Sequence, residues 1–377
     1  MKAKSSFSLK DQLFNPEKVE YLADLITAVF PAFEQENFCK DVIAEFPSLE
    51  LKARIAHISI CLDKYLPDDY TAALEILLWA LPPELDPNKT DDDFGDFIFA
   101  PHSFFVATNG CTVEYLELSL NALKTITKRF SAEDAIRYFL NKFPDKTLNF
   151  LQDCAADKNY HVRRLASEGT RPKLPWAQKL QLDYHQPLPI LESLYADQTR
   201  YVTRSVANHL NDISKLDAPL VIELLQQWQS SKKQSASEMA FITKHSLRTL
   251  LKQNHSEALK LMGFGAAPKL TITEFSTSTP QIKIGDSFLF SVTIQSHKSQ
   301  KLLIDYLMRY PQTGKKQSQK VFKIKQLELA ENESITLKKT HPMRLMTTRR
   351  QTLGIHEIIM RINGKNFGDL SFELVDN

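Results

Sequence analysis

Cysteine and glycine are scarce, with 4 and 10 among 377 residues. Cys39, Cys61, Cys111 and Cys154 are scattered, with no Cys-x-x-Cys pair and no His–Cys spacing suited to a metal. A structural metal is therefore not expected, and the thiols read as reduced side chains of a cytoplasmic protein. No apolar run approaches the length of a membrane span, and the opening MKAKSSFSLKDQLF lacks the apolar centre of a signal peptide. A phosphate-binding glycine loop, a metal motif and a Ser–His–Asp arrangement are all missing, and no cofactor is expected. What remains for chemistry is carboxylates, aromatics and basic side chains. Charge of one sign is also lacking: the formal net charge is only +2. That balance does not advertise a nucleic-acid binder, but a polyanion-binding face can be built locally on a nearly neutral molecule. The charges are in fact unevenly placed, with an acidic cluster at Asp91-Asp92-Asp93 and Arg and Lys recurring from Lys158 onward.

What the chain has is two kinds of periodicity. Its length suggests more than one domain, and 43% hydrophobic with 24% charged residues describes a soluble globular protein. From about Pro16 to Met262 apolar residues recur at helical spacing between short polar or Pro-containing breaks. Helices are expected over Lys18–Val29, Leu51–Tyr65, Tyr70–Leu81, Val113–Phe130 and Ala132–Phe143. The short connections favour antiparallel pairs stacked in sequence. Trp79 and Trp228 fall on apolar faces and are expected in the core. The pattern stops at Gly263–Pro268 and strict alternation follows, as in Phe288, Phe290, Val292, Ile294, then Ile304, Tyr306, Met308, Tyr310, then Ile355, Glu357, Ile359, Arg361. Turn signals at Pro311-Gln312-Thr313-Gly314 and Asn363-Gly364 divide these runs. About seven short strands over roughly a hundred residues fit an immunoglobulin-like β-sandwich that has no disulfide. The expected division is 1–267 helical and 268–377 sandwich.

The helical part repeats itself. Ala156-Asp157, Val162, Arg164, Ala166 and Glu168 are echoed by Ala196-Asp197, Val202, Arg204, Val206 and Asn208 at a constant offset of forty. Each copy opens with an Asp suited to capping a helix and later presents an Arg on one face. Arg248 begins a looser third copy. One basic residue per helical pair would set positive charges in a row on one surface.

The first copy runs into VRRLASEGTRPKLPW. Gly169 stands where a left-handed helix cap would fall, and Pro172 and Pro175 stop the helix from resuming before Trp176. Glu168 thus sits at a helix C-terminus, where the macrodipole disfavours an anion by up to about 1 kcal/mol. It reads either as a surface partner of Arg164, four residues earlier, or as a functional carboxylate. Trp176, just past a rigid turn, has little freedom; it either fills the core or presents its face at a site.

Three phrases, VRRLASEGTRPKLPW, RSVANHLNDISK and KHSLRTLLKQNHSEALKLMGF, occur in order and resemble the central motif of the AlkC branch of bacterial DNA alkylation repair glycosylases, built from HEAT-like helical repeats. KVFKIKQLEL and TTRRQTLGIHEI are similar to the C-terminal domain that some of those proteins carry. The resemblance implies a right-handed α-solenoid followed by an immunoglobulin-like sandwich. It also implies a monofunctional, monomeric DNA glycosylase acting on 3-methyladenine, 3-methylcytosine and 1-methyladenine type lesions in duplex DNA, without a base-flipping pocket.

On that reading Glu168 and Trp176 would stabilise an oxocarbenium-like deoxyribose. Glu133 joins them because SAEDAIR is similar to a family stretch; locally it falls in a first helical turn behind Ser131 as N-cap, where an acid is favoured for structural reasons alone. Arg164 would orient the carboxylate or hold a phosphate, and Arg171 would take a backbone phosphate. Arg204, Asn208, Lys244 and Arg248 would contact DNA by their place in the repeat, as would Arg349 and Arg350 in the sandwich unless they only decorate a strand. One departure is Thr203-Arg204, where the family commonly has two basic residues. The rival expectation is a non-catalytic helical-repeat scaffold that binds DNA or protein.

Overall fold

A computed structural model describes residues 8–89, 94–312, 317–344 and 352–376. Asp91, Asp92, Asp93, Thr313, Gly314, Arg349 and Arg350 lie outside the described residues. The chain forms two compact units, Met1–Asp217 with Gln227–Ser246, and Ala218–Gln226 with Leu247–Asn377.

The first unit is helical. Leu51–Tyr65 forms over the expected range, Pro16–Val29 starts two residues before the expected Lys18 with Asn15 as its cap, and Tyr70–Trp79 is capped by Asp69. Tyr70–Trp79 stops two residues before the expected Leu81, and two further helices are shorter at both ends, Leu116–Ile126 and Ile136–Lys142. The second is shortened because Ser131 does not cap it: its hydroxyl donates to the Glu133 carboxylate instead, at 2.6 Å, and residues 132–135 form a turn that carries Glu133 ahead of the helix. Trp228 is buried and stacks on Tyr195, as expected for core, but Trp79 is 62% exposed at the end of its helix.

The forty-residue period is visible in three dimensions. Tyr160–Gly169 packs on Arg200–Ile213, which packs on Ala236–Ser246. The aspartates that open each copy are not the caps. Asp157 and Asp197 each accept from the backbone N–H two residues on, at 2.8 Å, and so shape the turn that delivers Asn159 and Thr199 to the N-cap positions. Neighbouring copies are joined by ion pairs, Arg163 to Asp197 and Arg200 to Glu238.

Gly169 is also different from expectation. It is the last helical residue, without a positive φ, and Thr170 closes the helix by donating to the Ala166 carbonyl at 2.7 Å. Glycine is needed there for room: a Cβ would stand 2.5 Å from Ile136 Cγ2.

The second unit is a sandwich preceded by the short helices Arg248–Lys252 and Ser256–Leu261. Its strands are β1 (Leu270–Thr277), β2 (Gln281–Lys283), β3 (Ser287–Ser296), β4 (Gln300–Arg309), β5 (Gln319–Leu329), β6 (Ser334–Pro342), β7 (Gly354–Ile362) and β8 (Lys365–Val375). They form one sheet in the order β1-β3-β6 and another in the order β2-β8-β7-β4-β5. The core holds Phe288, Phe290, Val292 and Ile294 of β3 and Ile304, Tyr306 and Met308 of β4, as their alternation requires. In β7 the core face is Ile358, Met360 and Ile362, whereas Ile355 is 69% exposed. The opposite face of that strand is also buried at Ile359 and Arg361, so apolar residues fall on both faces of β7 and its alternation is ambiguous. Asn363 and Gly364 both have positive φ, as a tight β7–β8 hairpin demands.

Because Ile136 is fully buried and a Cβ at position 169 would overlap its Cγ2, Gly169→Ala should destabilise the helical unit by about 1–3 kcal/mol through overpacking. A thermal or urea melt unchanged from wild type would show that the contact with Ile136 relaxes freely.

Candidate active site

Glu168 and Trp176 both line one cavity of about 470 Å³. Phe94, Phe97, Phe104, Phe130 and Tyr201 supply aromatic wall, and Glu133, Arg164, Arg171, Arg204, Ser205 and Asn208 supply its polar groups.

Glu168 is only 4% exposed, yet each oxygen is engaged by a donor. Ser205 Oγ donates to Oε2 at 2.6 Å and Arg171 Nη1 donates to Oε1 at 2.5 Å, with Arg164 Nη2 3.8 Å from Oε1. Burial alone would raise this carboxyl. The charges of Arg164 and Arg171, with the bonds from Ser205 and Arg171, outweigh it and hold the group below the 4.5 of an ordinary glutamate. The site is therefore built around an anion that stays ionised while almost wholly out of water, a state that demands this many partners.

Arg164 is not the simple i,i+4 surface partner that spacing allows. It is buried, and its closer carboxylate is Glu133, whose Oε2 accepts from Arg164 Nη1 at 2.7 Å. Its guanidinium lies 4.4 Å from the Tyr201 ring centroid and 5.3 Å from that of Phe94. Burial works to lower its pKa, but Glu133 and Glu168 raise it, so the cation is permanent. Arg171 is likewise buried: Nε and Nη2 reach Asp212 Oδ2 at 3.0 and 2.9 Å while Nη1 holds Glu168. Both arginines are thus placed to hold carboxylates.

Trp176 is 73% exposed and adopts φ +63°, a left-handed backbone that costs a non-glycine residue of order 1–3 kcal/mol. Two side chains from other elements hold its turn. Arg137, buried, donates to the carbonyls of Gly169, Arg171 and Gln178 at 3.1, 2.8 and 2.7 Å. Lys52 donates to the Trp176 carbonyl at 2.5 Å and pairs with Asp134 at 3.1 Å.

Of the other sequence candidates, Arg204 and Asn208 are half-buried on the cavity, and Asn208 Oδ1 accepts from His245 Nε2 at 2.9 Å if that nitrogen carries the proton. Lys244 is exposed on the next helix, and Arg248 belongs to the second unit. Arg349 and Arg350 fall outside the described residues. Sequence reasoning missed Ser205, Asp212, Arg137 and Lys52. For the first two a signal existed: contacts 37 and 41 residues apart, Ser205 to Glu168 and Arg171 to Asp212, match one repeat period. Among the described residues no group of three or more His, Cys, Asp or Glu is arranged to hold a metal ion, and no helix is long and apolar enough to cross a membrane.

Comparison with known proteins agrees along nearly the whole chain. Residues 271–376 match the family described as the C-terminal Ig-like domain of the uncharacterised protein YhaZ. The uncharacterised protein YhaZ of Bacillus subtilis (strain 168) is 32% identical over 367 residues, which is 96% of this chain and 98% of that protein. The structure of Pseudomonas fluorescens alkylpurine DNA glycosylase AlkC bound to DNA containing an abasic site analog superposes with a TM-score of 0.88 at 34% identity, covering 98% of this chain and all of that one. With helical repeats, an Ig-like sandwich and this likeness over almost its full length, the chain belongs to the AlkC family of alkylation-repair DNA glycosylases, in the form with a C-terminal immunoglobulin-like domain.

Proposed function

We propose that this protein is a monofunctional DNA glycosylase that hydrolyses the N-glycosidic bond of cationic alkylated bases in duplex DNA, of the 3-methyladenine, 3-methylcytosine and 1-methyladenine type. The observation that carries the reading is Glu168, a buried and ionised carboxylate facing an aromatic cavity beside an exposed indole. An alkylated base of this kind is positively charged while attached and leaves neutral, so no general acid has to protonate it. The positive charge passes to the deoxyribose. A fixed anion and an electron-rich ring stabilise that charge as it develops, an effect worth roughly 3–4 kcal/mol for one preorganised group. Because its pKa is depressed, Glu168 serves better as an electrostatic partner than as a proton acceptor. Glu133, half-buried across Arg164, is the better placed group to take the proton of the attacking water. Arg204, Asn208 and Lys244 contact the DNA backbone, Arg248, Arg349 and Arg350 add grip from the second unit, and the protein acts as a monomer without a cofactor.

Methylated duplex DNA tests the carboxylate. Wild type should release free methylated base and leave an uncut abasic strand, while Glu168→Gln should lose at least about 10²-fold in rate and still bind DNA. Equal background release by both proteins would favour a non-catalytic scaffold.

The pH dependence has a definite sign. A carboxyl whose folded pKa is depressed keeps its charge, and its contribution to stability, above the ordinary value and loses them only as pH falls through the lower one. The excision rate should therefore be flat in Glu168 ionisation from pH 8 down to about 5, with its acid limb below 4.5. An acid limb near pH 6 that persists in Glu133→Gln would remove Glu168 from this role.

For the DNA-contacting row, Arg204→Ala should weaken binding and reduce the slope of log K against log salt by about one. A slope equal to wild type would take Arg204 out of the interface.

A further inference from the structure

One face of the helix Arg200–Ile213 is turned toward the segment that carries Glu168. Ser205, His209 and Asp212 are spaced at helical intervals along it, and each meets a different atom of that segment. Ser205 Oγ donates to Glu168 Oε2 at 2.6 Å. His209 Nδ1 stands 3.1 Å from the Ser167 carbonyl, which makes that nitrogen the donor. Asp212 Oδ2 accepts from Arg171 Nε at 3.0 Å and forms an ion pair with Nη2 at 2.9 Å, while Nη2 also donates to the Lys173 carbonyl at 3.4 Å.

Asp212 has no local reason to be an acid. It is 2% exposed, and it lies one residue from a helix C-terminus, where the macrodipole opposes a negative charge. Lys215 Nζ, at 3.0 Å from Oδ1, offsets part of that cost but does not explain why the charge is there. The geometry of Arg171 does. Its guanidinium presents one edge, Nε and Nη2, to Asp212, and this leaves Nη1 aimed at Glu168 Oε1. A planar fork held along one edge cannot rotate about its stem, so the third nitrogen is fixed in place as well.

We infer that Asp212 is a positioning residue for catalysis, which acts through Arg171 to hold the Glu168 carboxylate in one orientation against the cavity. It is buried and is not among the residues that line the cavity. Asp212, Arg171 and Glu168 form a relay in which the outer carboxylate sets the cation and the cation sets the inner carboxylate. The other charged or titratable groups facing Glu168 are Arg164 on its own helix, with Glu133 behind it, and His209, which burial and Arg171 hold neutral at a pKa of about 4. Ser205 bonds the other oxygen, and Arg164 Nη2 approaches Oε1 only to 3.8 Å without a hydrogen bond, so neither replaces what Asp212 fixes.

The inference rests on the glycosylase reading for its chemistry but not for its physics, and two readouts separate them. The first is the titration of the Glu168 Cδ resonance in 13C-glutamate-labelled protein, assigned by its loss in Glu168→Gln. Asp212→Asn, nearly isosteric, should move that titration upward by about one unit. The second is single-turnover release of methylated base, where Asp212→Asn should lower the rate about 10- to 100-fold with DNA affinity within about twofold of wild type. Arg171→Lys breaks the same joint from the other side, so a folding failure of either variant leaves the other to decide. The double variant should be no slower than the slower single one, because both act on one relay.

Additive losses in the double variant, an unmoved titration, or a rate loss matched by a loss of DNA affinity would each overturn the inference. A shifted titration in a protein whose wild type releases no base would overturn the glycosylase reading and leave the relay intact. Release of base with an unmoved titration would do the reverse.

Discussion

A carboxylate kept ionised inside the protein is the constraint from which the rest of the first unit follows. Taking Glu168 out of water costs several kcal/mol unless cations and hydrogen bonds replace the lost hydration. The fold supplies two arginines and a serine, and each brings a further demand. Arg164 needs Glu133 and the rings of Phe94 and Tyr201, and Arg171 needs Asp212, which in turn needs Lys215. The network therefore spreads over three successive helical layers, from the turn before Ile136 to the end of the helix Arg200–Ile213. A half-satisfied arrangement of this kind would be worse than an apolar core, and this is why so many of its members are buried and bonded at once.

The second demand is on the backbone that carries Trp176. A left-handed tryptophan exposed to solvent gains nothing from local preference, so its turn has to be imposed from outside. Arg137 does so by filling the carbonyls that a helix leaves unsatisfied at its C-terminus, and Lys52 does so at the tryptophan itself. Glu133, in the turn just ahead of the helix that carries Arg137, is brought to the cavity by the same stretch of chain. The short phrase SAEDAIR thus serves the site twice, once through an acid at the cavity and once through an arginine that never reaches it.

The repeat explains how these parts come together. Helices one period apart lie side by side, so a residue is answered by another about forty positions away: Arg163 by Asp197, Arg200 by Glu238, Glu168 by Ser205, Arg171 by Asp212. In a stacked array this offset plays the part that a spacing of four plays within one helix. The recurring offset thus aligns groups from adjacent layers, while the period itself arises from packing.

Periodicity and turn signals determined the order of helices and strands, the break near Gly263 and the β7–β8 hairpin, because apolar spacing and turn chemistry are local properties of a chain; the pair Glu168 and Trp176 came from the family resemblance of the segment that carries them. Helix ends, the exposure of Trp79 and the core face of β7 were decided by neighbours distant in sequence. Gly169 looked like a left-handed cap and proved to be a glycine for want of space beside Ile136. Above all, the tertiary structure decided what the arginines do. A sequence records that Arg164 and Arg171 are basic, but only packing determines whether such a charge meets water, a phosphate or a carboxylate, since its partners come from other layers and the balance of burial against pairing exists only once those layers are stacked.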